Sequence, residues 1–362
     1  MSSYSISEVI SLAKNLIAVP STKENTKALE DVLSIARKQL ARFTVETFSD
    51  HGVPSLLAYI GKTRPKKFPI ILNAHLDVVP GRSDQYEVKI EGDKLFGRGA
   101  YDMKAAAAVE IFLFKELASK INYPLGLQLV TDEEVGGHHG SLYQVKQGVE
   151  SDCVLVGETS SDLTIGIQSK GIIWAKVTFQ GKSAHGAYPW KGDNALWKVY
   201  KFLGAVASAF PVPAKAVWET TVNLASIQTS NTTFNKIPDE AYVLLDIRYI
   251  PSDHDRIKKK LSQCLGGDGR VEFVAEESSH ETPEDNPYVV SLVKAASHVM
   301  GKTCQVVQKH GASDLRHFPK AAGLEFGPVG HGPHMDEEWV SISGLETYAS
   351  ILKEFLSTLP IR

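Results

Sequence analysis

Cysteine is nearly absent from this chain. Its three residues, Cys153, Cys264 and Cys304, are odd in number and lack CxxC spacing. Neither a disulfide framework nor a thiolate metal site is expected, and the three read as small buried side chains. An excess of positive charge is missing too: 39 Lys and Arg stand against 42 Asp and Glu, a formal charge of -3. No basic field advertises a polyanion, so nucleic acid is not an expected partner. Long apolar runs are also wanting. The longest, "AAAAVEIFLF", contains Glu110 and is too short to span a bilayer, and "MSSYSISEVI" lacks the basic start and apolar core of a secretion signal. These absences point to a cytoplasmic protein with no membrane partner.

What remains is an ordinary globular composition, 43% hydrophobic and 22% charged, in a length of 362 residues that favours two domains. Apolar residues at helical spacing in "ISEVISLAKNLIAV" and "NTKALEDVLSIARKQLARF" predict two amphipathic helices. Short strands follow in "FTVETFS" and "SLLAYI". Then come the strand Phe68 to Leu76, the helix "MKAAAAVEIFLFKELASK", and strands in "LGLQLVTDEE" and "DCVLVGE" with a short helix near Leu142 to Gln147. Strands rich in Ile, Leu and Val alternating with helices indicate an α/β sheet covered on both faces. From Gly171 the order becomes β-α-β-β-α-β, ending in "RVEFVAEE", a pattern that can close into its own two-layer unit. After the polar linker "SSHETPEDNP" the α/β rhythm returns and ends in a helix with a candidate capping box, Ser343 and Glu346. The expected fold is thus a split α/β catalytic domain with a mostly parallel central sheet, residues 1–171 and 283–362. It carries an inserted α+β domain over residues 172–282.

In "IILNAHLDVVPG", His75 and Asp77 share a strand face if the extended conformation lasts to Val79. At the carboxyl end of a central strand they would reach the crevice where open α/β sheets bind ligands. Asp102 in "GRGAYDMKA" stands just before a helix, where it could also be a simple N-cap. Asp132, Glu133 and Glu134 follow one hydrophobic strand, and Glu158 follows another. Converging carboxylates repel one another unless a cation compensates them, and a divalent metal would do so. A second imidazole is available from His331 or His334 in "GPVGHGPHMDEEW". Imidazole and carboxylate donors without thiolates suit Zn, Co or Mn and disfavour calcium.

Taken together, "NAHLDVVP", "GRGAYDMK", "TDEEVGG", "GETS", "GKSAHGAYPWKGDNA", "NKIPDEA", "LDIR" and "GPHMDEE" resemble the M20 family of metal-dependent peptidases and deacylases. That group contains acetylornithine deacetylase, succinyl-diaminopimelate desuccinylase, aminoacylase and glutamate carboxypeptidase. The motifs run in the family order from about residue 8 to 358. The resemblance implies two divalent metal ions, with Zn(2+) favoured and Co(2+) or Mn(2+) as alternatives. His75, Asp102 and Glu158 would hold one, and Glu134, Asp102 and His334 the other, with Asp102 bridging. It implies further that Asp77 accepts the remaining ring N–H of His75, that Glu133 is the general base, and that His185 helps stabilise the oxyanion. Arg248 and Asn235 would contact substrate, and Gly311, Ala312 and Ser313 in "GASD" would line its site. His334 is preferred to His331 because it precedes the matched "MDEEW", while His138 and His139 have no family counterpart and read as loop residues.

The implied reaction is hydrolysis of an amide bond in an N-acyl amino acid by metal-activated water, as in acetylornithine deacetylase or succinyl-diaminopimelate desuccinylase. The alternative is a dipeptidase or carboxypeptidase using the same centre on a small peptide. Either substrate carries a free carboxylate. A homodimer formed through the inserted domain is the family expectation.

Overall fold

The computed structural model describes residues 4–160 and 162–360. The first three residues of the N-terminal stretch considered above lie outside the described residues. The chain divides into two compact units. One comprises the residues up to Ile167, Glu281–Val307 and the chain from Ser313 onward; the other comprises Gln168–His280 and Gln308–Ala312.

The first unit is built on a mixed sheet. Eight of its nine strands lie in the order Thr44–Asp50, Val53–Tyr59, Leu125–Val130, Phe68–His75, Ser151–Val156, Ala322–Glu325, Ile165–Ser169, His280–Glu281, and the ninth, Val306–Lys309, pairs with Ile165–Ser169 off this path. Parallel pairing joins the four central strands from Leu125–Val130 to Ala322–Glu325, and antiparallel neighbours flank them. The centre is therefore parallel and buried on both faces, which explains the unbroken apolar runs of Phe68–His75 and Leu125–Val130. The short strand His280–Glu281 falls inside the stretch expected to be only a linker.

Helix Ala105–Leu117 is the hub of the covering layer. Only Lys115 among its residues escapes burial, and it packs against the helices Ile6–Ile17 and Ile342–Thr358. A helix buried on nearly every face, here with Glu110 and Glu116 among its buried residues, belongs in the middle of a core. Ile6–Ile17 is instead amphipathic, burying Val9, Leu12, Ala13 and Leu16, and its start is fixed by a reciprocal bond pair between Ser5 and Glu8. The last helix starts differently from expectation. Ser341, in extended conformation, is its N-cap and accepts the Gly344 N–H at 2.9 Å, whereas Ser343 lies inside the helix and binds Asp93. Three-residue strands at Lys89–Glu91, Lys94–Phe96 and Trp339–Ser341, with Gly330–His331, form a separate small sheet that the sequence pattern did not announce.

The second unit is an antiparallel sheet in the order Thr221–Gln228, Glu240–Tyr249, Gly171–Gln180, Gly269–Glu277. Alternate residues of its two central strands are buried, and Ile173, Val177, Val243 and Leu245 meet Val199 and Phe202 of helix Ala195–Ala209. Helix His254–Leu265 adds Ile257 and Leu261 to the same core. This is the two-layer β-α-β-β-α-β order. Among the described residues, no helix is long and apolar enough to cross a membrane.

Candidate metal centre

Strand Phe68–His75 lies between two parallel neighbours, so its carboxyl end opens where such sheets present ligand-binding groups. His75 is its last residue and only 1% exposed. The strand does not run on to Val79, and strand alternation therefore does not place Asp77. The ring Nδ1 of His75 lies 3.1 Å from the backbone carbonyl of Asp77 and 3.6 Å from its carboxylate. That carboxylate accepts the backbone N–H groups of Glu133 and Glu134 at 3.3 and 3.0 Å. The carbonyl, rather than the expected side chain, is the nearer partner of the ring.

Asp102 is not a helix cap. Lys104 holds that position for Ala105–Leu117, and Asp102 stands two residues earlier with φ of -120° and ψ of 91°, followed by a cis peptide bond to Met103. Glu338 organises this segment. Its carboxylate accepts the N–H groups of Gly99, Tyr101 and Asp102 at 3.0, 3.0 and 3.1 Å, and pairs with Arg98 at 2.8 Å. Sequence reasoning passed over Glu338, although it ends the "HMDEE" motif. Three acidic residues, Asp336, Glu337 and Glu338, follow one another there, and the pattern alone does not distinguish the third.

Two trios result. His75 Nε2 lies 3.0 Å from Asp102 Oδ1 and 3.7 Å from Glu158 Oε1. His334 Nε2 lies 3.4 Å from Asp102 Oδ2 and 2.9 Å from Glu134 Oε2. In each trio one donor atom per residue falls within 4.8 Å of the others, and Asp102 presents a different oxygen to each. Close packing brings Glu158 into place: a Cβ on Gly157 would lie 2.4 Å from Glu110 Oε1 and 2.8 Å from the Met103 methyl. His334 takes a left-handed φ of 63° in its loop. His331 joins neither trio; it stacks on Trp339 at 6.0 Å.

The charges fit a cation-binding role. Burial, with Asp102 beside it, pushes Glu158 up to about 8. Burial and Glu158 raise Glu133 well above an ordinary carboxyl. Hydrogen bonds to Asp102 and Glu134 push His334 up to about 10. Burial opposes ionisation of Asp102, but bonds from His334 and His75 outweigh it and hold the carboxyl below its usual range. The site thus gathers more negative charge than it can stabilise without protons or cations. Two donor sets of one imidazole and two carboxylates, with no thiolate, match borderline divalent ions. Glu133 belongs to neither set, yet the charges of Glu158, His75, Asp314 and Arg316 act on it. Glu133 and Glu134 both lie in the short helical turn Glu133–Val135 that follows the strand.

The remaining candidates lie as follows. His185, exposed, accepts the Ala187 N–H on Nδ1 at 3.1 Å and bridges Lys236. Arg248 is half-buried and pairs through Nε with Asp246 at 2.9 Å. Asn235 is exposed and its carbonyl accepts the Gly186 N–H at 2.7 Å. All three belong to the second unit, as do Gly311 and Ala312, whereas Ser313 falls in the first and donates to Glu325 at 2.6 Å. The expected lining loop is therefore divided between the units. His138 faces the ring of His317, and His139 bonds to Asp50.

The model of peptidase family M20/M25/M40 matches residues 71–358. Succinyl-diaminopimelate desuccinylase of Pelagibacter ubique (strain HTCC1062) is 30% identical, covering 96% of this chain and 97% of that protein. The enzyme of the same name from Sphingopyxis alaskensis is also 30% identical, with the same coverage. Among solved structures, aminopeptidase PepT from Bacillus cereus ATCC 10987 superposes with a TM-score of 0.80 at 19% identity over 99% of both chains. The M20 family metallo-carboxypeptidase Sso-CP2 from Sulfolobus solfataricus gives 0.78 at 17% identity, covering 98% of this chain and all of that one. At such identities the structural likeness speaks for the fold.

Proposed function

From the premise that the chain belongs to peptidase family M20/M25/M40 and is a binuclear metal-dependent amidohydrolase of N-acyl amino acids or peptides, we propose that it removes a succinyl group from an N-succinyl amino acid bearing a free carboxylate. The observation that carries the hydrolytic part is the pair of trios sharing Asp102, with Glu133 next to them in the chain and in neither. The two relatives at 30% identity, both named succinyl-diaminopimelate desuccinylase, support the acyl group.

In this reading His75, Asp102 and Glu158 hold one ion and Glu134, Asp102 and His334 the other, with Zn(2+) favoured over Co(2+) or Mn(2+). Two divalent cations held by these residues would polarise a scissile carbonyl and make an attacking water more acidic. Glu133 accepts the proton that this water releases and passes it to the departing amine as the C–N bond breaks. Burial raises its basicity, which suits the task. His185 donates a hydrogen bond to the oxyanion. Arg248 grips the substrate carboxylate by exchanging its Asp246 partner, a contact for which a guanidinium fork is suited. Asn235 and the Gly311, Ala312 and Ser313 stretch contribute further substrate contacts. We place the enzyme in the cytoplasm as a homodimer formed through residues 172–282; three free cysteines accord with a reducing compartment.

A product-resolved screen of N-succinyl, N-acetyl and dipeptide substrates, after reconstitution with zinc, cobalt or manganese, tests the assignment. Turnover of N-succinyl compounds at the highest kcat/KM is expected. Faster hydrolysis of acetylated amino acids or dipeptides would replace the desuccinylase reading with a deacetylase or dipeptidase, and inactivity with every metal would sink the hydrolytic reading itself.

A further inference from the structure

The described residues contain a third cluster of metal-ligand type, formed by Asp50, His51 and His139. None of the three belongs to the two trios. His51 Nδ1 lies 3.1 Å from Asp50 Oδ1 and His139 Nδ1 lies 2.8 Å from Asp50 Oδ2, while the two imidazole rings stand 4.7 Å apart. One donor atom from each residue falls within 4.8 Å of the other two. Four-coordinate zinc with bonds of about 2.0–2.1 Å to nitrogen and oxygen would set its ligand atoms roughly 3.3 Å apart. Closing around an ion thus takes small side-chain rotations.

Two rigid pieces of backbone aim the imidazoles at each other. His51 and Gly52 form the two-residue turn between strands Thr44–Asp50 and Val53–Tyr59, in which Asp50 pairs with Val53. Both carry positive φ, 50° and 81°, as a type I′ turn requires. Asparagine is the usual first residue of such a turn, yet here a histidine occupies it beside the strand-end aspartate. On the other side, the buried carboxylate of Asp132 accepts the N–H groups of His139 and Gly140 at 2.8 and 3.1 Å. A Cβ on Gly140 would come within 2.2 Å of Asp132 Oδ1, so the loop is seated closely against that carboxylate. Asp50 faces water enough to exchange ligands, at 28% exposure, and His51 more so at 76%.

We propose that Asp50, His51 and His139 bind a third divalent cation of borderline character, such as zinc or nickel. Two imidazoles and one carboxylate select such ions over magnesium or calcium, whose preferred shells are all oxygen. Solvent completes the coordination on the exposed side. The ion staples the turn at His51 to the loop carrying His139, in place of the hydrogen bonds that the Asp50 carboxylate accepts from both rings.

Equilibrium dialysis of the full chain against buffered free Zn(2+), with metal per chain read by elemental analysis, tests this. Three equivalents are expected for the wild type, the third binding most weakly. The H51N/H139Q variant keeps a residue that tolerates the left-handed turn and should stop at two, with at least a tenfold weaker third step in either single variant. Ni(2+) should compete for the third equivalent and Mg(2+) should not. A wild type that stops at two equivalents overturns the proposal, as does a double variant that still binds a third with unchanged affinity. Should the double variant misfold, nitrogen-detected NMR of the wild-type imidazoles decides: adding the third equivalent must shift His51 and His139, and unmoved resonances overturn the site.

Discussion

The carboxylate of Asp77 accepts the backbone N–H of Glu134 at 3.0 Å, while the carbonyl of the same residue faces the ring nitrogen of His75 at 3.1 Å. One residue thereby orients a donor from each trio, His75 through its main chain and Glu134 through its side chain. Replacing its side chain removes the acceptor of the Glu133 and Glu134 N–H groups and leaves the carbonyl at His75 in place, so the loss should fall first on the trio that contains Glu134.

Asp77→Ala should weaken metal binding by about 10- to 100-fold, the usual consequence of removing a group that orients a ligand. The buried strand ending at His75 should stay folded. Circular dichroism and metal titration on the same sample check this. Asp77→Asn keeps one carbonyl acceptor and should fall between the two. Wild-type affinity in the alanine variant would show that the turn at Glu133 and Glu134 holds itself.

Glu338→Ala should destabilise the first unit by about 3–5 kcal/mol, because it strands a buried guanidinium and removes the acceptor for three backbone N–H groups. Glu338→Gln keeps one accepting oxygen but turns its amide N–H2 toward two of the four donors, and should cost part of this amount. The urea midpoint measures both. The loss of metal affinity should follow the same order, since the segment released is the one that presents Asp102.

Four of the candidate ligands were legible in the sequence because each sits at the end of a recognisable element: His75 closes an apolar strand, Glu134 and Glu158 follow two others, and Asp102 precedes a helix, whereas His334 stood out only through its motif. Pattern alone could not say how they are aimed. The strand through His75 ends there, so the i, i+2 rule that placed Asp77 had no strand left to act on. Glu338 was invisible because its four donors lie about 240 residues upstream and meet it only in the folded chain. Short strands such as Lys94–Phe96 carry too few residues to display a period. The helix start at Ser341 differs from the Ser343 box because Asp93, distant in sequence, takes the Ser343 N–H and hydroxyl.

Glu110 yields a pH prediction. It is fully buried, its Oε1 accepts the Tyr348 hydroxyl at 2.9 Å, and its Oε2 has no partner. Burial raises its carboxyl well above the ordinary 4.5, and Glu158 adds to the effect. Between 4.5 and that raised value the folded chain holds a proton that the unfolded chain has released. This group's contribution to stability therefore falls as pH rises through the window. Glu110→Gln, neutral in both states, should remove that decline and leave the chain more stable than wild type at the alkaline end of the window. Denaturation midpoints from pH 5 to 9 measure it; parallel curves for the two proteins would mean that Glu110 is ionised when folded.

Substitutions at His185 and Glu133 separate catalytic chemistry from assembly. The Nδ1 of His185 accepts the Ala187 N–H, so the neutral ring carries its proton on Nε2, the form that can donate to a developing oxyanion. His185→Ala should lower kcat by about 10²–10³-fold, the range seen when one such donor is lost. Glu133→Gln should lower kcat by about 10²–10⁴-fold with both metal ions retained, because it removes a proton acceptor and no ligand. If His185 serves the centre of a partner subunit, mixing the two inactive proteins under conditions of subunit exchange creates dimers in which one centre has both groups intact. Activity should then recover to a fraction set by the proportion of mixed dimers. If His185 serves its own chain, every centre in the mixture still lacks one group, and activity stays at the level of the separate variants.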